Sequence, residues 1–166
     1  MSGWPEDIEN KARTLIAALS KRGLMVATAE SCTGGLIAGA LTEIPGSSSV
    51  VDRGFVTYSN DAKMQMLGVD PATLAAHGAV SRQTAIEMAR GALSHSQAAI
   101  AVAVTGIAGP GGGSEEKPVG LVHLVAASRG GSVLHREMRY GDIGREAVRM
   151  ATVRTALDML EDAAEN

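Results

Sequence analysis

The chain has 166 residues, enough for one domain with a substantial core, and its 45% apolar and 20% charged residues are ordinary for a globular protein. A net charge of −3 excludes a general attraction to polyanions, so no nucleic-acid partner is expected. A single cysteine, Cys32, excludes an intrachain disulfide and a Cys-x-x-Cys zinc knuckle. The N-terminus lacks a signal-peptide layout and no apolar run reaches the roughly 18 residues of a membrane span, so a cytoplasmic protein with no membrane partner is expected.

Aromatics are only 2%, so Ala, Val, Ile, Leu and Met must fill the core. Pro5, Glu6 and Asp7 suit a helix first turn and Gly23 its end. Between them Ile8, Ala12, Leu15, Ile16 and Leu19 recur at helical spacing. Leu24 to Ala29 reads as a short buried strand, followed by the polar turn Glu30 to Gly35. Leu36, Ile37, Ala40, Leu41 and Ile44 then mark a helix that Pro45-Gly46 closes.

Val50 to Tyr58 reads as a second strand. Ser59 is a candidate N-cap for a short helix carrying Lys63, Met64 and Leu67, with Gly68 at its end. A brief helix is expected after Pro71. Ser81 caps another in this reading, with Ala85, Ile86, Ala89 and Leu93 inward. Ala98 to Val104 is a continuous apolar run, the pattern of a central strand covered on both faces. Thr105 to Pro118 is too rich in glycine to be a regular element, and a loop of that length is usually functional or disordered. Val119 to Ala127 and Ser132 to Arg139 flank Arg129-Gly130-Gly131 as a β-hairpin, and a last helix spans about 144–160. The alternation predicts an α/β fold, layered around a mixed sheet.

Three polar or glycine-rich segments each follow a predicted strand: Glu30 to Gly35, Tyr58 to Lys63, and Thr105 to Gly113. If those strands are parallel neighbours, all three emerge at one edge, where open α/β sheets bind ligands. Ser31, at a strand-to-helix turn, is either an N-cap or a nucleophile. Glycines after it allow close approach, and free helix N–H groups near Thr33 to Gly35 could stabilise an oxyanion. Cys32 competes for the nucleophile role or is simply a small buried hydrophobe. A serine needs a base, and His77, His95, His123 and His135 all lie outside the three segments. In a simple hairpin register His123 faces Glu137. Lys63 lies inside one segment; it is either solvated or a base whose pKa is lowered by burial. Tyr58 could relay a proton, hold Ser31 and Lys63 in register, or be a half-buried strand residue.

The loop Thr105-Gly106-Ile107-Ala108-Gly109-Pro110-Gly111-Gly112-Gly113 matches neither a Walker A loop nor a dinucleotide fingerprint, yet its N–H groups could cradle an anion. Arg145 and Arg149 share a face at the start of the last helix, where they would either hold an anion or pair with Glu146 or Asp142.

Thr28-Ala29-Glu30-Ser31-Cys32-Thr33-Gly34-Gly35 resembles the signature of the CinA C-terminal domain family, the nicotinamide mononucleotide deamidases. So do Gly54 to Lys63, Gly78-Ala79-Val80-Ser81, Thr105 to Gly112 and Pro118 to Val122, in the family's order along nearly the whole chain. The resemblance implies a three-layer α/β/α sandwich, one CinA C-terminal-like amidase domain over residues 1–166. Its implied reaction converts nicotinamide mononucleotide to nicotinic acid mononucleotide and ammonia, in pyridine nucleotide salvage. It also implies a Ser–Lys mechanism with neither metal nor other cofactor, with Ser31 as nucleophile, Lys63 as base and Tyr58 as supporting hydroxyl. Thr33, Gly34, Gly35, Asn60, Thr105, Gly106, Gly109 and Gly111 would bind substrate, and Arg145 would meet the phosphate. A pyridine nucleotide is thus the expected small-molecule partner, and a homo-oligomer the expected assembly.

Two features depart from the family pattern. Ile143-Gly144 separate Gly141-Asp142 from Arg145, where the family places an arginine directly after Gly-Asp. Longer members add an N-terminal domain similar to molybdopterin-binding proteins that these residues lack, which implies a stand-alone amidase or an isolated domain. The alternative is a non-catalytic nucleotide-binding module linked to competence or DNA-damage responses. A third reading is an amidase for another small carboxamide.

Overall fold

The apolar spacing after Pro5 produces α1 (Glu6–Arg22), which buries Ile8, Ala12, Leu15, Ile16 and Leu19 and ends at Gly23 in the left-handed conformation. The computed structural model describes residues 2–165. After α1 come β1 (Val26–Glu30), α2 (Leu36–Thr42), β2 (Val51–Val56), α3 (Asn60–Leu67), α4 (Pro71–His77) and α5 (Arg82–Ser94). β3 (Ile100–Gly106), β4 (Leu121–Ser128), β5 (Val133–Arg139) and α6 (Arg145–Glu165) complete the order. Side chains cap three of these helices as their sequence suggests. Ser59 accepts from Ala62 N, Asp70 from Ala72 N and Ser81 from Thr84 N.

The sheet runs β2-β1-β3-β4-β5. β1 is parallel to both β2 and β3, whereas β3, β4 and β5 are antiparallel, so the sheet is mixed as expected. His123 does stand opposite Glu137 in the hairpin. One apolar cluster joins the sheet to α1, α2 and α6, and a second joins it to α5, on which α3 and α4 pack. The two faces differ in bulk. In β3, Ile100, Val102 and Val104 face the first cluster, while Ala101 and Ala103 face the second. Alanines there meet Ala85, Ala89 and Ala92 of α5, which brings that helix close to the strands.

The elements differ from the sequence reading mainly at their ends. β1 starts at Val26, not Leu24, and β2 is confined to Val51–Val56. α6 runs past Leu160 to Glu165, because Ala163 and Ala164 continue its buried face and the Arg22 guanidinium donates to the Ala164 carbonyl. Ile86 is half-buried rather than fully inward. None of the described helices is long and apolar enough to cross a membrane.

Candidate active site

Because β1 runs parallel to both neighbours, the carboxyl ends of three strands lie side by side, with Glu30 in register with Val56 and Val104. The chain leaving each strand enters one cleft of about 300 Å³. Ser31 and Cys32 follow β1; Tyr58, Asn60 and Lys63 follow β2; Thr105 and Gly106 end β3 and lead into the glycine loop. Ala79, Val80 and Arg145 complete the walls. The convergence expected from the strand pattern is realised. A roomier hollow of about 690 Å³ at the N-terminal segment is lined by Glu6, Glu9 and Glu146, with no cationic side chain among the described residues of its lining, which disfavours an anionic ligand.

Ser31 is held by its own N–H, which donates to Val104 O at 3.1 Å, and its side chain is largely buried. Lys63 lies one turn into α3, and its side chain turns inward until the residue is 1% exposed. Its Nζ donates to Thr57 O at 2.9 Å and lies 3.0 Å from Ser31 Oγ. Burial penalises the ammonium and pulls the Lys63 pKa below the usual 10.5. Cys32 is buried beside the pair, and burial pushes its thiol up to about 11. At neutral pH that thiol is protonated.

Tyr58 sits elsewhere than a proton relay would require. The residue is 61% exposed, and its hydroxyl accepts from Arg145 Nη2 at 2.8 Å rather than meeting Lys63 or Ser31. Arg145 also donates from Nη1 to Gly109 O at 2.9 Å, so it spans the cleft mouth between β2's exit and the glycine loop. Arg149 does not share that position. Its Nε donates to Cys32 O at 3.1 Å and its Nη2 to Thr33 O at 3.3 Å.

Thr33, Gly34 and Gly35 fall outside the cleft lining. The Thr33 hydroxyl donates to Glu30, and Gly34 N donates back to Ser31 O. The first amides of α2 that could have met an oxyanion, Ile37 N and Ala38 N, donate to the Glu30 carboxylate. Asn60, Thr105, Gly106, Gly109 and Gly111 do line the cleft. Thr105 Oγ1 is committed to Ala79 O at 2.8 Å. A Cβ on Gly106 would lie 2.6 Å from the Val122 side chain, and one on Gly109 2.6 Å from that of Val119. Packing therefore requires these glycines whatever the ligand. Gly111 faces open space.

Sequence reasoning gave no role to Glu30, Ala79 or the Thr57 carbonyl. An acidic residue closing an apolar strand just before a helix with glycine at its cap position was the available signal for Glu30.

A buried amine against a hydroxyl, at the carboxyl edge of a parallel strand trio, defines a small-molecule site of the open α/β class. The CinA C-terminal domain family matches residues 8–164, and the chain belongs to that family. Nicotinamide-nucleotide amidohydrolase PncC of Escherichia coli K12 is 55% identical over 144 residues, 86% of each chain. A longer relative from Caldicellulosiruptor bescii is 54% identical over 147 residues, and this chain spans 35% of its length. The crystal structure of competence/damage inducible protein CihA from Agrobacterium tumefaciens superposes with a TM-score of 0.97 at 70% identity, covering 98% of each chain.

Proposed function

We propose that this chain is an amidohydrolase that converts nicotinamide mononucleotide to nicotinic acid mononucleotide and ammonia, with Ser31 as nucleophile and Lys63 as general base. The observation that carries the reading is the 3.0 Å approach of Lys63 Nζ to Ser31 Oγ inside the cleft. The identity to PncC supplies the substrate class.

A neutral lysine amine has two N–H groups and one lone pair. One N–H donates to Thr57 O, which leaves the lone pair for the Ser31 hydroxyl proton. Oγ attacks the carboxamide carbon as Nζ takes that proton. The tetrahedral adduct then expels ammonia, which carries the proton away from Lys63, and leaves a Ser31 ester. Water attacks the ester and gives a proton to Lys63, which passes it to Ser31 Oγ as the carbon–Oγ bond breaks; the pyridine carboxylic acid leaves and loses its own proton to solvent. In this reading the oxyanion meets main-chain N–H groups of Cys32 and of the glycine loop. Tyr58 and Arg145 form the outer wall that receives the ribose phosphate. The pyridinium ring makes the carbonyl electron-poor and eases attack.

Ammonia release and the acid product, measured with nicotinamide mononucleotide, test the reading. Ser31→Ala should abolish turnover while nucleotide binding persists. Wild-type protein that binds the nucleotide without releasing ammonia would instead be a sensor.

A further inference from the structure

Glu30 is a fully buried carboxylate at the end of β1, and the proposed reaction does not use it. Such a group is unfavourable unless its oxygens are paired. Oε1 accepts from Thr33 Oγ1 at 2.7 Å and from Ile37 N at 2.8 Å, and Oε2 accepts from Ala38 N at 3.0 Å. All three donors belong to the stretch of chain immediately after Ser31. α2 has glycine at its cap position and no local side-chain cap, so the Glu30 side chain fills that role from the preceding strand. The carboxylate also opposes the positive end of the helix dipole.

The main chain of Glu30 acts in parallel. Its carbonyl accepts from Thr57 N at 2.8 Å, and Thr57 O is the acceptor that orients Lys63 Nζ. Arg149, from α6, holds the same turn through the carbonyls of Cys32 and Thr33. Both members of the Ser31–Lys63 pair are therefore placed relative to one residue.

We propose that Glu30 is a positioning residue for Ser31: its buried carboxylate fixes the turn of residues 31–35 and so holds Oγ at attack distance without touching substrate. The inference rests on the amidohydrolase reading. It locates the effect of Glu30 in kcat and not in KM, because Tyr58, Arg145 and the glycine loop bind the nucleotide from other elements.

Glu30→Gln tests this. The amide keeps the size of the side chain but replaces one acceptor oxygen with an NH2 that faces an N–H donor. The expected result, per folded protein, is a kcat about 10- to 100-fold lower with KM for nicotinamide mononucleotide close to wild type. Hydrogen exchange at Ile37 and Ala38 should be faster, which reads the turn independently of activity. Thr33→Val removes one donor and should lower kcat less, in the same direction; it carries the test if Glu30→Gln does not fold. Wild-type kcat in the folded Gln variant would overturn the proposal. So would unchanged kcat in Thr33→Val when that variant alone folds, or a fall in kcat matched by a rise in KM. Ser31→Ala separates the two levels. Retained turnover there sinks the hydrolase reading together with this one, whereas a dead Ser31→Ala beside a fully active Glu30→Gln removes only the positioning role.

Discussion

Lys63 is a long, normally solvated side chain that the fold buries to 1% exposure, and among the described residues its Nζ has Thr57 O and Ser31 Oγ as hydrogen-bond partners. An ammonium has three protons to place, and a buried position with two protein acceptors disfavours it over the neutral amine. The folded-state pKa therefore lies below 10.5. The unfolded chain keeps the ordinary value, so between the two it binds the extra proton and the native state does not. Stability should rise with pH across that window by about 1.4 kcal/mol per pH unit, and the contribution should level off above 10.5. In the proposed mechanism kcat/KM rises through the same folded-state pKa, on a one-proton limb whose midpoint is below that of free lysine. Lys63→Met should remove both the stability slope and the limb, with kcat/KM lower by about 10²- to 10⁴-fold. Denaturation curves and initial rates over pH would show it; a variant that keeps the alkaline limb assigns the base elsewhere. Cys32 gives the complementary case. Its thiol, raised to about 11, is the wrong protonation state for attack. Cys32→Ala should release ammonia within about fivefold of the wild-type rate, since only the thiolate is a strong nucleophile.

At the scale of elements, α3 delivers Lys63 and α5 sets the height of α3 above the sheet. Gly91 in α5 lies against the Leu67 carbonyl at the end of α3, and any Cβ there would overlap that backbone. Helix propensity alone makes Gly91→Ala stabilising by about 1 kcal/mol. Overpacking costs about 1–3 kcal/mol and wins here, because backbone cannot swing aside as a side chain can. Gly91→Ala should thus lower stability and, by shifting α3, lower kcat. Urea unfolding and single-turnover rates measure the two effects, and a variant more stable than wild type would show that α3 yields at no cost.

Most elements were legible because their signals are local. Ser59, Ser81, Gly23 and Gly68 sit where their chemistry predicts, and the unbroken apolar run along β3 tells a central strand. Contacts made across the fold were not legible. Tyr58 reads as a partner of the dyad until Arg145, 87 residues away in sequence, takes its hydroxyl. Thr33 to Gly35 read as an anion cradle until Glu30 is seen to occupy the amides behind them.

For the whole molecule, topology decides what fits. Reversal of the chain after β3 makes β4 antiparallel, so only three strand ends feed the cleft and the long loop after β3 must wall its far side. Arg145 closes the mouth by reaching from α6 to Tyr58 and Gly109. The cleft volume, about 300 Å³, is at the lower end of the roughly 300–1,000 Å³ range of small-molecule pockets. A mononucleotide suits that volume, whereas a dinucleotide carrying the same carboxamide must leave its second half outside. With the outer wall assigned to the phosphate, nicotinamide mononucleotide should exceed both the dinucleotide and free nicotinamide in kcat/KM. Arg145→Met should raise KM for the mononucleotide by about tenfold or more, the effect of losing one charge-assisted contact of about 1.5–3 kcal/mol. It should leave the already poor turnover of nicotinamide unchanged, because that substrate has no phosphate to lose. Steady-state rates for three substrates and two proteins make the comparison. Equal losses on nicotinamide and on the nucleotide would mean that Arg145 supports the fold of the cleft instead of reading the phosphate.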